Sequence, residues 1–218
     1  MAEIATADLY PMLNVGSGTE QFRTERQPWI DRYIVAPARR RGGVIRHTDI
    51  QDGVGVDLVG DLADPTFLGE LQKRSFKSIF CSNLMEHVAN RDEIAAALMQ
   101  CVECDGLVFA SCPYDYPYHP NPIDTLYRPN VQELAALFPG AELVRGEIVE
   151  GDTYSHTLRR SPLKLVRIAV PLYRPQRWPS AAAHLRWLMR PYKATCVVLR
   201  KGAGAGCDTQ AEMGMRTG

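Results

Sequence analysis

No run of apolar residues in this chain approaches the roughly 20 needed to span a bilayer as a helix. The first residues, MAEIATADLY, hold two acids and no base ahead of an apolar stretch. A transmembrane helix and a secretory leader are therefore not expected, and the chain reads as cytoplasmic. No acid occurs between positions 153 and 207, a stretch that carries 11 Lys and Arg, whereas residues 1–152 carry 13 basic residues against 23 acidic ones. The formal net charge of zero thus conceals two parts of opposite sign, which bears on association and not on fold. No second CxxC and no histidine pair accompany Cys101 and Cys104, so no metal is assigned. The six cysteines lie mostly in apolar segments and read as reduced packing residues. No internal repeat and no recognised RNA- or DNA-binding motif occurs, so nucleic acid is not expected as a partner.

What is present points to alternating strands and helices. Apolar runs of four to six residues alternate with amphipathic stretches, the pattern of buried strands joined by crossover helices. Strands are predicted at Met12–Val15, Val44–His47, Val54–Val59, Phe76–Cys81 and Leu107–Cys112, with two more near Glu142–Val149 and Thr195–Leu199. Asn90 and Asn130 each precede a Glu by three positions and open helical periodicities, and Asp64-Pro65 opens a shorter helix through Arg74. Asp105-Gly106 and Pro139-Gly140 supply the breaks. The stretch Gln21–Gly43, interrupted by Pro28, predicts a broken helix. With 218 residues, one domain over 1–201 is expected, with a flexible tail over 202–218.

Four landmarks fall at predicted strand ends. LNVGSGTE (Leu13–Glu20) runs a strand into Gly16 and Gly18, which lets backbone turn tightly and approach a ligand closely. Asp49 follows the second strand, Asp61 with Leu62 the third, and CSNLMEHV (Cys81–Val88) the fourth. The absent third glycine argues against a nicotinamide-dependent oxidoreductase. Open backbone, a carboxylate for ribose hydroxyls and an acceptor for an exocyclic amine suit a ligand made of an amino acid, a ribose and an adenine.

With LNVGSG, VDLVGDL (Val56–Leu62), NLMEHV (Asn83–Val88) and CPYDYPYHPNPIDTLYR (Cys112–Arg128), residues 12–150 resemble the class I S-adenosylmethionine-dependent methyltransferases, in particular the type 11 group. The resemblance implies an α/β, Rossmann-like doubly wound sheet of about seven strands, mostly parallel with an antiparallel last strand. It implies S-adenosylmethionine as cofactor: Asn14, Gly16, Ser17 and Gly18 near the methionine part, Asp49 at the ribose, Asp61 and Leu62 at the adenine, and Asn83 and Leu84 on the methionine side. Asn14 stands where the family usually has an acid. A noncatalytic methyltransferase-like subunit is the rival reading.

His87 and His119 are the catalytic candidates, because imidazole titrates near neutral pH and an acceptor hydroxyl must lose a proton. Tyr116, His119, Asp124, Tyr127 and Arg128 belong to a stiff Pro- and Tyr-rich segment suited to cover a small-molecule or glycan acceptor, with Asp124 and Arg128 also able to pair with each other. The basic stretch, with RPQRWPSAAAHLRWLMRPYK at its centre, has two readings. One is a lid or edge (153–193) docked on the acidic body; the other is a peripheral contact with an anionic membrane or acidic partner through 153–207.

Overall fold

In the computed structural model, which describes residues 9–119, 123–153, 155 and 187–203, β1 (Met12–Val15) is buried at all four positions. Only Asn14 interrupts its apolar run, as expected of a strand covered on both faces. With β2 (Ile45–Asp49), β3 (Leu58–Val59), β4 (Phe76–Ser82), β5 (Val102–Asp115), β6 (Ala141–Thr153) and β7 (Pro191–Lys201), it forms a seven-stranded sheet of order β3-β2-β1-β4-β5-β7-β6. β1 pairs in parallel with β2 and β4, β2 with β3, and β4 with β5. β7 inserts between β5 and β6 and runs antiparallel to both. All seven expected strands and the antiparallel last strand are present. The chain leaves β1 toward β2 on one side and returns through β4 on the other, so the strand order reverses at β1, where open α/β sheets bind ligands beyond the strands' carboxyl ends.

The helices are α1 (Pro28–Ile30), α2 (Ala36–Arg40), α3 (Pro65–Gln72), α4 (Arg91–Cys101) and α5 (Val131–Ala136). Leu13 and Ile79 of the sheet and Leu71 and Leu98 of the helices are among the least exposed members of one apolar cluster. Asp64 caps α3 by accepting from Thr66 N–H, and Asn130 with Glu133 forms a complete capping box on α5. The stretch after β1 is broken, as expected: π-helical turns at Phe22–Arg26 and Asp31–Val35 alternate with the short α1 and α2.

Several boundaries differ from expectation for identifiable reasons. Residues 54–57 are loop, not strand. Asp57 folds back so that its carboxylate accepts from His47 N–H at 2.7 Å, and Gly55 takes φ +82°. The helix of Asp64-Pro65 ends at Gln72, before Arg74. Asp105-Gly106 does not end α4, which passes directly into β5; Asp105 instead takes φ +61° inside the strand. Asn90 bonds the Glu93 side chain and leaves the helix N–H groups without a side-chain cap. Cys81, Cys101, Cys112 and Cys196 are free, whereas Cys104 is disulfide-bonded, against the expectation of six reduced thiols. Cys101 is buried in α4, but Cys104 lies on β5 and keeps some exposure. The two therefore do not form a chelating pair.

Most of the basic stretch and the tail expected at 202–218 lie outside the described residues. Where the basic stretch is described, at the start of β7, two of its residues pair with acids of the neighbouring strands: Arg190 with Asp115 at 2.6 Å and Lys193 with Glu150 at 2.6 Å. Trp187 is buried against Tyr192 with the Arg190 guanidinium 5.2 Å from its ring centroid. Among the described residues, no helix is long and apolar enough to cross a membrane.

Candidate functional site

At the reversal of strand order, Gly16 and Gly18 both adopt left-handed φ, +61° and +59°. Any side chain would be strained there. A Cβ on Gly18 would also meet Phe22 Cδ1 at 2.8 Å, and one on Gly16 would meet Leu84 Cδ1 at 3.1 Å. The loop after β4 thus packs directly on the turn after β1, which brings Leu84 beside Gly16. Asn83, next to it, holds φ +52°, a conformation Asn tolerates better than most residues, with its N–H donating to Ser111 O at 2.9 Å.

Asp49, at the end of β2, holds the turn as well. One carboxylate oxygen accepts from Gly18 N–H at 2.8 Å and the other from Gln51 N–H at 3.0 Å. Ser17 is buried, its N–H bonded to Thr48 O and its hydroxyl to Gly18 O. Asp61 lies two residues beyond β3, the next strand over. It is exposed, with one oxygen accepting from Ala63 N–H at 2.9 Å, while Leu62 packs against the core. Register places Asp49 opposite Val59, so Asp49 and Asp61 stand at the same edge of the sheet as the glycine turn.

Two residues not singled out from the sequence organise this edge. Arg23 is only 4% exposed. Its guanidinium donates to Ser17 O (3.3 Å), Gly18 O (2.5 Å) and Gly55 O (2.7 Å), joining the glycine turn to the loop after β2. Burial lowers its pKa, opposed by Glu20, Asp57, Asp31 and Asp49. The second is His47, whose Nδ1 lies 3.0 Å from Asn14 Nδ2. Burial, helped by the Arg23 charge, lowers the His47 pKa to about 4. The ring is neutral at pH 7, and its Nδ1 accepts from the amide. An amide at position 14 therefore has a local reason: it can donate to a neutral imidazole, which a carboxylate cannot.

The consequence for pH follows from the sign of that shift. His47 has a folded pKa below its unfolded value of about 6.5, so its contribution is complete above pH 6.5 and is lost as pH falls toward about 4. The full loss is about 3 kcal/mol at about 1.36 kcal/mol per pKa unit. Urea unfolding of wild type and Asn14→Asp between pH 4 and 7 reads it. The variant is expected to show a raised His47 pKa by NMR, because a carboxylate beside the ring favours its charged form, and a flatter acid limb. Identical His47 titrations in the two proteins would contradict the pairing.

A second group of residues lies on the loop after β4 and the segment after β5. Thr125 N–H and Oγ both donate to Glu86 O at 2.9 Å, and His87 Nδ1 bonds Ile123 O, so the Pro- and Tyr-rich segment is stitched onto EHV. Asp124 is its centre. Its carboxylate accepts from His119 N–H (3.0 Å), Leu126 N–H (2.8 Å) and both Arg128 Nη atoms (3.0 and 2.7 Å). Burial opposes ionisation, but the Arg128 bonds and the two N–H groups outweigh it and hold the carboxyl below its usual range. Asp124 and Arg128 thus pair with each other.

The His119 and His87 rings meet edge to face at 5.2 Å, Tyr116 packs on His119 at 5.1 Å, and Tyr192 on Tyr116 at 4.7 Å. Burial lowers the His119 pKa against the opposing pull of Pro117 O and Asp124. Tyr127 faces elsewhere. It packs against the core under the Arg91 guanidinium, 4.4 Å from its ring centroid. Glu86, also not singled out from the sequence, is fully buried; burial pushes its carboxyl upward. One oxygen accepts from Cys112 Sγ at 3.5 Å, and the other has no partner among the described residues.

No family model matches the sequence, and no curated protein matches it. Solved structures do match. A Galdieria sulphuraria protein provisionally named a sarcosine dimethylglycine methyltransferase is 13% identical, with 90% of this chain and 81% of that one covered at a TM-score of 0.50. A structure described under conversion of a disulfide bond into a thioacetal group during echinomycin biosynthesis is 12% identical, with 97% and 85% covered at 0.53. The StiE O-MT segment is 8% identical, with 98% and 75% covered at 0.50.

Proposed function

The chain has the class I S-adenosylmethionine-dependent methyltransferase fold, and we propose that it is such an enzyme, transferring the methyl group to a hydroxyl of a small molecule or glycan. The observation that carries this reading is the meeting of the Gly16–Gly18 turn, Asp49 and Asp61 at one sheet edge, where strand order reverses. S-adenosylmethionine supplies an activated methyl on a sulfonium. Backbone from Gly16 to Gly18, with Leu84 and Asn83 opposite, borders its methionine part, and Asn14 reaches it only through backbone or water because its amide is engaged with His47. Asp49 has used one acceptor site on each oxygen, and a carboxylate offers about four in all, so ribose hydroxyls have sites left. Asp61 and the Leu62 backbone take the adenine.

The acceptor lies toward Tyr116, His119 and His87, with Asp124 and Arg128 holding that wall in place and Tyr127 acting from behind it through packing. Methyl transfer asks chiefly for alignment. Bound S-adenosylmethionine would supply the methyl carbon to the acceptor oxygen and take back the carbon–sulfur electron pair, and His119 or His87 would be placed to accept the hydroxyl proton. Release of S-adenosylhomocysteine in the presence of matched panels of hydroxyl, amine and thiol acceptors tests the reading. Turnover confined to hydroxyls, reduced about 100-fold or more in His119→Ala as expected for loss of a positioned base, is the expected result. Turnover with amines or thiols alone would contradict oxygen transfer.

A further inference from the structure

Glu86, His87 and His119 bring one carboxylate and two imidazoles together so that a ligand atom from each lies within 4.8 Å of the others. The ring contacts decide which nitrogen of each imidazole keeps a lone pair. His87 Nδ1 is bonded to Ile123 O, and His119 Nδ1 lies 3.2 Å from Pro117 O and 3.1 Å from Asp124 Oδ2. A ring whose Nδ1–H donates to a carbonyl or carboxylate carries its lone pair on Nε2. Both Nε2 atoms are thereby left as acceptors, and outer partners of this kind are what orients metal-binding histidines.

Glu86 supplies a second, independent observation that points to a ligand. Its carboxylate is fully buried, and Oε1 has no hydrogen-bond partner among the described residues. Oε1 faces His87 Nε2 at 3.7 Å, too far for a direct hydrogen bond and a separation that one cation could bridge. A buried carboxylate is costly without a cation or proton beside it. Tetrahedral coordination with bonds of about 2.0–2.1 Å sets ligand atoms about 3.3 Å apart, so a small side-chain rotation closes the set.

We propose that Glu86 Oε1, His87 Nε2 and His119 Nε2 bind one divalent first-row transition metal, with Asp124 orienting His119 from outside. Two imidazoles with one carboxylate select such ions over Mg2+, which favours oxygen ligands and water. Three protein ligands leave a position open, as in catalytic sites. If the methyltransferase reading holds, that position would receive the acceptor oxygen and favour its deprotonated form, and the hydroxyl proton would leave to solvent, because with the metal bound His87 and His119 serve as ligands and not as proton acceptors; binding of the metal stands without it.

The test is calorimetric titration of the chelator-treated full chain with Zn2+ and with Mg2+, alongside Co2+ absorption spectra. One Zn2+ per chain with sub-micromolar Kd, no comparable Mg2+ binding and a Co2+ visible spectrum are expected. Glu86→Gln, which keeps the side chain's shape, and His119→Ala, on a partly exposed segment, should each weaken Zn2+ at least 100-fold while retaining the circular dichroism spectrum. Asp124→Asn should weaken it by about 10- to 100-fold. Absence of Zn2+ binding to wild type, Mg2+ binding of equal strength, or Zn2+ binding unchanged in both ligand variants would overturn the proposal. The last outcome would place the ion elsewhere, for instance on cysteines.

Discussion

Arg23→Met is expected to remove measurable binding of S-adenosylhomocysteine and to lower stability by about 3–5 kcal/mol, the range for breaking a buried charged contact. The guanidinium donates to three carbonyls, on Ser17, Gly18 and Gly55. Methionine fills similar volume but satisfies none of them, and a buried carbonyl left without a donor costs about 1–3 kcal/mol. Glu20, Asp57, Asp31 and Asp49 would also lose the cation they face. The carbonyls belong to the glycine turn and to the loop that frames it, so the same loss releases the backbone that borders the cofactor. Arg23→Lys should recover part of the stability and little of the binding, because an ammonium cannot reproduce the planar fork. Urea unfolding with calorimetry on the folded protein checks both. A variant of wild-type affinity would show that the turn keeps its shape without Arg23.

The second large effect is expected at Asp124. Asp124→Ala removes an acceptor of four hydrogen bonds and leaves the Arg128 guanidinium, whose side chain is 15% exposed, without its carboxylate. The loss is expected near 3 kcal/mol, because one partner of a largely buried pair remains. Its local signature is faster amide exchange at His119 and Leu126, whose N–H groups bond this carboxylate. Exchange at Gly18 should not change, since that N–H depends on Asp49. Uniform acceleration across both groups would indicate global destabilisation in place of a local support. Asp124→Asn retains shape and one oxygen and should lie between Ala and wild type.

Much of the sheet was legible in the sequence because β1 and β4 are short and buried along most of their length and β1 and β3 run directly into glycine, whereas β6 is largely exposed and β5, β6 and β7 extend for 14, 13 and 11 residues. The exception is instructive: Val54–Val59 carries the same pattern, yet Asp57 turns back to bond His47 N–H and leaves a strand of two residues. A side chain replacing a backbone partner leaves no mark on periodicity. The glycine turn, Asp49 and Asp61 were visible as residues at strand ends. Arg23 and His47 were not, since an arginine in an irregular helix and a histidine inside a strand look ordinary until the fold buries them beside the turn. Asn14, which reads in sequence as a departure from the family's usual acid, is accounted for by the neutral His47 one strand away. Glu86 stood in the quoted EHV motif, but its complete burial, beneath a segment after β5 whose Thr125 bonds the Glu86 carbonyl, is not written in its neighbours along the chain.

Isothermal titration of the wild-type chain with S-adenosylhomocysteine, with Asp61→Ala as the paired variant, tests the site at the end of β1 most directly. A single site of micromolar affinity in wild type, lost or weakened at least tenfold in Asp61→Ala, is expected. No heat with wild type, or equal affinity in the two proteins, would contradict it.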